Sequence, residues 1–253
     1  MSEDTAFDGV RVTIDTVARA RGAVLLLHGF TRHPRHLDLL AGRFVDAGVM
    51  VVRPHLASLS PVASMNRPSV LARAARSIAE AIGDPRLPLV VVGHSAGAAA
   101  GSGIAAHLLD AGAFVRGLVL VDGVESPTRS IERAWPRIGQ LPMFCVCAPP
   151  SRCNRQGALA EWLRSRRTGA FGVVVRGAGH GDIEGQEHAV YRWACGDASS
   201  PAIRDVTADL VLGAALAMLD DRPVGPVLER VQSHSGPELP IDLLVGAGGM
   251  LDT

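Results

Sequence analysis

One stretch, Leu89 to Gly97, constrains this chain more than any other. Leu89-Val90-Val91-Val92 is an apolar, β-branched run, and Gly93-His94-Ser95-Ala96-Gly97 follows it without a break. A small-residue helical pattern then runs from Ala98 to Leu109. A buried strand that enters a helix through Gly-x-Ser-x-Gly must bend sharply at the serine. Any Cβ at the flanking positions would clash in that bend, which is why they are glycines. The serine is thereby held out at the end of a sheet. An ordinary Gly/Ser turn needs neither a strand pattern before it nor a helix after it, so Ser95 reads as a positioned nucleophile.

The rest of the chain alternates strand and helix patterns. Val10 to Ile14 alternates and reads as an edge strand. Ala23–Leu27 and Val49–Val52 are continuous apolar runs of the kind buried on both faces, the second stopped by Pro54. Helical stripes fall over residues 35 to 47 and from Pro68 to Ile82. Beyond the elbow come strands at Val115–Val121, Met143–Val146 and, last, Phe171–Val175, with helices around Leu159–Leu163 and Ala202–Leu219. Such alternation predicts an α/β fold: a mostly parallel central sheet with helices on both faces. All 253 residues are read as one domain, with 221–253 a Pro- and Gly-rich C-terminal tail carrying a short helical pattern at Val227–Val231. Residues 123–140 have only a helical hint at Ile131–Trp135 and are too few for a large cap domain. An open site rimmed by Phe30, Trp135 and Ile138 is therefore expected.

Composition excludes several classes. The formal net charge is zero, so no bulk field recruits nucleic acid or an anionic membrane. Every basic side chain is Arg, which removes a Lys nucleophile or Schiff base. No run reaches the roughly 18 apolar residues of a membrane span. Residues 1–9 are acidic and polar, unlike a signal peptide, so a cytoplasmic home is expected unless a leader has been removed. Cys145 and Cys147 lie in one strand and are read as core residues on opposite faces, sharing no metal. Cys153 and Cys195 fall in loops and are within range of pairing, although a cytoplasm disfavours a disulfide.

In parallel sheets, sites gather at the C-terminal ends of the strands. Three loops there carry Ser95, Asp122 and His180. A serine hydroxyl needs a base, and the base needs an anion to fix its tautomer and stabilise the imidazolium. Of nine histidines, only His180 sits in a Gly-flanked loop just past the last expected strand. His28 reads as structural, His94 as directed away from the serine, and His107 as part of a helix. His33, His36, His55, His188 and His234 lie in polar segments and read as solvated. The acid is usually sought after the next-to-last strand, but residues 148–154 hold no carboxylate. Asp122, one strand nearer the elbow, takes the role, with Glu125 as runner-up. Asp182 and Glu184 are too close to His180 in sequence to orient it and are expected to bind an Arg or cap the next turn. The oxyanion hole is expected from the backbone N–H groups of Ala96, at a helix N-terminus, and of Phe30, with Thr31 beside it as a further candidate.

The set His28-Gly29-Phe30, Gly93-His94-Ser95-Ala96-Gly97, Asp122 after its strand, Ala148-Pro149-Pro150 with Cys153-Asn154, and Gly179-His180 with Asp182 resembles the lid-poor esterase branch of the α/β-hydrolases. Chlorophyllases, dienelactone hydrolases and cutinase-like polyester hydrolases belong to that branch. The resemblance covers residues 10–220 and departs from the branch at Ala98, where Gly is common. Chlorophyllases similarly place their acid after the strand that follows the elbow. The resemblance implies a serine carboxylic-ester hydrolase acting on small-molecule or extended esters, with no metal or organic cofactor. Thioesterase, lipase or amidase activity on the same triad, or a non-catalytic binding module on the same fold, are the competing expectations.

Overall fold

A computed structural model of the chain describes residues 2–30, 32–55, 66–184, 195, 199–229 and 241–247. Among them, nine strands form one sheet in the order β1-β2-β4-β3-β5-β6-β7-β8-β9. The strands are β1 (Ser2–Phe7), β2 (Val10–Asp15), β3 (Ala23–Leu27), β4 (Met50–Pro54), β5 (Leu89–His94), β6 (Val115–Val121), β7 (Met143–Cys147), β8 (Ala170–Val175) and β9 (Ile241–Val245). From β4 through β8 neighbouring strands pair parallel; β1, β2 and β9 pair antiparallel at the two edges.

Helices cover both faces, and the runs Ala23–Leu27 and Leu89–Val92 are apolar at every position for that reason. Helices α1 (Asp38–Asp46) and α6 (Pro201–Leu219) pack Phe44, Leu40, Leu210 and Val211 against Val24, Leu26, Val90 and Val92. On the opposite face lie α2 (Pro68–Ile82), α3 (Ala96–Asp110), α4 (Ser130–Ile138) and α5 (Ala158–Arg164). Their Leu71, Ile104, Ile131 and Leu163 share a core with Leu25, Leu27, Val91 and Leu120. The small residues of α3 let it lie close to its neighbours. A Cβ on Gly101 would come within 2.8 Å of Val91, and one on Gly103 within 2.5 Å of Leu71.

The edges differ from expectation. The strand at Val10–Asp15 is not the edge: β1 lies outside it, with Phe7 opposite Val10. Residues 2–7 are acidic and largely exposed, so no hydrophobic period marks them; backbone pairing and the Thr13–Asp4 hydrogen bond (2.5 Å) hold them. Nor is β8 the last strand, since β9 pairs beside it with Ile241 opposite Val175. The pattern Ile241-Asp242-Leu243-Leu244-Val245 was concealed by the Pro- and Gly-rich tail around it. Residues 225–229 are helical, and the remaining positions of that expected pattern, 230–231, lie outside the described residues.

Cys145 and Cys147 face the same side of β7, toward the α3–α5 core, and not opposite sides. Residues two apart on a strand share a face. Burial pushes the Cys145 thiol up to about 12. Cys153 and Cys195 form a disulfide. Among the described residues no helix is long and apolar enough to cross a membrane.

Candidate active site

Ser95 follows β5 with φ 53° and ψ −122°, a left-handed backbone that side-chain-bearing residues rarely adopt. The bend is held by its own N–H, which donates to Val121 O (3.0 Å), and by its carbonyl, which accepts from Val124 N–H (3.0 Å). Its glycines are obligatory on packing grounds. A Cβ on Gly93 would lie 2.6 Å from Gly97 O, and one on Gly97 would lie 2.6 Å from both Leu27 O and His28 O.

The structure brings the three expected side chains together. His180 Nε2 is 2.9 Å from Ser95 Oγ, and His180 Nδ1 is 2.5 Å from Asp122 Oδ2. All three residues are buried. Asp122 itself has φ 42°, and its N–H donates to Val146 O (2.7 Å). The other carboxylate oxygen, Oδ1, accepts from Ala148 N–H (3.0 Å) and Asn154 Nδ2 (3.0 Å). The loop after β7, empty of carboxylates, thus supplies two donors to Asp122. Glu125 is engaged elsewhere: it accepts from the N–H groups of Ser126, Ile131 and Glu132 at the start of α4.

Ala96 opens α3, and Phe30 lies in the loop after β3. Among the described residues, neither backbone N–H donates to a protein acceptor. The Phe30 ring is half exposed, whereas Ile138 is fully buried under α4 and does not form a rim. Trp135 packs edge-on against Trp162 at 5.1 Å. A cleft of about 210 Å³ opens beside Asn154, lined by Val124, Arg129, Arg155, Leu159 and Trp162.

Of the histidines read as solvated, His33 is exposed, whereas His36 and His55 are buried. His55 is buried and bonded to Thr13 Oγ1 (3.1 Å), and His36 is buried in the turn after the Phe30 loop. His33 caps that turn by accepting from Arg35 N–H. His28 Nδ1 meets Gly29 O at 2.8 Å, and burial lowers its pKa to about 4. His188, His234 and Thr31, which neighbours Phe30, lie outside the described residues. Asp182 caps the turn of its own loop, accepting from Gly179 N–H (2.8 Å) and Ser199 Oγ (2.6 Å). Glu184 binds Arg32 (2.5 Å) and also reaches His94 and Gly29.

The strand order, the strained serine between β5 and α3, and the helices on both faces define the α/β-hydrolase fold. Solved structures share it across most of the chain. Est1E from Butyrivibrio proteoclasticus matches with a TM-score of 0.58 at 12% identity, over 87% of this chain and 99% of that one. A protein described as a predicted CIB-like hydrolase from Thermoplasma acidophilum matches at 0.57 and 19% identity, over 84% and 97%. The esterase domain of a Rhodothermus marinus protein matches at 0.56 and 14% identity, over 73% and 93%. No protein-family model and no curated protein matches the sequence.

Proposed function

We propose that this protein is a serine hydrolase of carboxylic esters. The observation that carries the reading is the unbroken hydrogen-bonded chain from Ser95 Oγ through His180 to Asp122, with Ser95 at a strained elbow. The esterase and hydrolase descriptions of structural neighbours agree with it.

In this reading Ser95 Oγ attacks the ester carbonyl carbon while His180 Nε2 takes its proton. Asp122 holds the Nδ1–H tautomer and offsets the imidazolium charge. The N–H groups of Phe30 and Ala96 receive the oxyanion, each donor contributing on the order of 3 kcal/mol in the transition state. The tetrahedral adduct expels the alcohol, which takes the proton from His180, and leaves Ser95 acylated. Water then repeats the sequence, releasing the acid and the free serine. The cleft beside Asn154, the residue that donates to Asp122, offers space for part of the substrate. The Cys153–Cys195 disulfide favours an oxidising compartment over a cytoplasmic one.

The test is a chain-length series of p-nitrophenyl esters, with one bulky polyester, assayed on wild type and Ser95→Ala. Turnover of at least one ester, lost in Ser95→Ala, supports the reading. A folded wild type inert to the whole series removes it and leaves a binding module on this fold.

A further inference from the structure

Behind the triad lies a second buried cluster that the reaction above does not use. Glu184 is fully buried. Its Oε1 accepts from Gly29 N–H (2.7 Å) and meets His94 Nδ1 (2.8 Å), and its Oε2 accepts from Arg32 Nε (2.5 Å). The other ring nitrogen of His94, Nε2, is 2.6 Å from the backbone carbonyl of His180.

The protons on His94 follow from its partners. A carbonyl oxygen only accepts, so Nε2 must carry a proton. Oε1 already accepts from Gly29, and a carboxylate bound to Arg32 is ionised, so Nδ1 must carry one as well. Such a charge is tolerable in the interior only because Glu184 lies between it and Arg32. Burial pushes the His94 pKa down, yet the charge and hydrogen bond of Glu184, the His180 carbonyl and the Asp122 charge outweigh it and raise it. Burial pushes the Glu184 carboxyl up, but His94, the Gly29 N–H and Arg32 hold it well below the ordinary carboxylate range.

These bonds tie together the three loops that the esterase reading needs. Gly29 directly precedes Phe30, the expected oxyanion donor, and Arg32 follows on the same loop. His94 directly precedes Ser95, and its Nε2 grips the backbone of the base itself. The junction has no slack: a Cβ on Gly29 would lie 3.1 Å from His94 Nδ1 and 3.2 Å from Glu184 Oε1.

We propose that His94 is an imidazolium which, with Glu184 and Arg32, locks the oxyanion loop to the His180 loop, making His94 and Glu184 positioning residues. The proposal rests on the serine-hydrolase reading for its effect on rate, though not for the charge on His94. Displacement of a reacting group by about 1 Å costs about 10²-fold in rate, which sets the size of the effect.

The experiment compares Glu184→Gln, which keeps the volume and removes the charge, with Glu184→Asp, which keeps the charge and removes a methylene. On the best p-nitrophenyl ester, Glu184→Gln lowers kcat about 10²-fold with KM changed less than about threefold, and Glu184→Asp stays about tenfold more active than Glu184→Gln. A purely packing role reverses that order and overturns the proposal. Should both variants fail to fold, His94→Gln, which retains a donor toward the His180 carbonyl but not the link to Glu184, must show the same loss of kcat; wild-type kcat in it overturns the proposal. Independently of any substrate, nitrogen NMR at neutral pH must find both ring nitrogens of His94 protonated; a single protonated nitrogen overturns it. Ser95-dependent turnover unchanged in Glu184→Gln removes the lock and leaves the esterase reading intact. A wild type without turnover removes the esterase reading, while the NMR result still decides the charge.

Discussion

Asn154 Nδ2 donates to Asp122 Oδ1 at 3.0 Å, on the carboxylate oxygen that does not face His180. Asn154 Oδ1 meanwhile accepts from Ser151 N–H (2.8 Å) and Gly157 N–H (3.0 Å), so one side chain folds its own loop and orients Asp122. Asn154→Ala should lower kcat about tenfold, since it removes one of the donors that aim Asp122. Asn154→Asp keeps the acceptors but sets a second carboxylate against the first, and should lower kcat further. Steady-state kinetics of both variants check the order.

The assignment of the acid makes a sharper contrast. Asp122→Asn should reduce kcat by about 10⁴-fold with little change in KM, because the amide favours the wrong His180 tautomer. Glu125→Gln should leave kcat near wild type and cost about 1 kcal/mol of stability through a weaker start to α4. Kinetics and thermal melts on the two variants separate the roles; the reverse pattern moves the acid to Glu125.

These two assignments show how much the residues disclosed. The elbow and the meeting of His180 and Asp122 beside Ser95 were legible because each combines a reactive residue type with a strand end, and strand ends are visible as breaks in apolar runs. Asp122 emerged because the usual acid loop holds no carboxylate. Asn154 in that loop escaped notice, because an uncharged amide does not stand out where a carboxylate would. The His94–Glu184–Arg32 cluster was half visible: Glu184 was expected to bind an Arg or cap the next turn, and His94 to turn away from the serine. What joins them is long-range packing across 90 residues for His94 and Glu184, which no local pattern encodes. Strands β1 and β9 escaped for a related reason. An exposed acidic edge and a short run inside a Pro-rich tail are stabilised by pairing with strands already in place, not by their own hydrophobic period.

The pH dependence follows from the same cluster. The raised His94 pKa gives a contribution fully present below its ordinary value of about 6.5 and lost as pH rises through the folded value. The depressed Glu184 pKa gives one fully present above about 4.3 and lost only as pH falls through the folded value. The stabilising window therefore runs from mildly acid to above neutral. The charged groups in reach of His94 are Glu184, Arg32 and Asp122, and the His180 ring lies 5.0 Å from its own. Thermal melts across pH should show the wild-type advantage over Glu184→Gln largest in this window and shrinking on the alkaline side. A difference independent of pH would contradict the charged pair.

The Cys153–Cys195 disulfide closes a loop of 42 residues. Chain entropy puts its contribution at about 4 kcal/mol. Cys195→Ser, or reduction of the wild type, should lower Tm. Because Cys153 adjoins Asn154, kcat should fall as well. Melts and rates with and without reductant measure both effects.

Covalent capture tests most directly whether Ser95 is the nucleophile. Wild type treated with a fluorophosphonate probe should gain the mass of one adduct, and peptide mass spectrometry should place it on Ser95. Asp122→Asn should label far more slowly, and Ser95→Ala not at all. An adduct on another residue, or undiminished labelling of Ser95→Ala, would contradict the account.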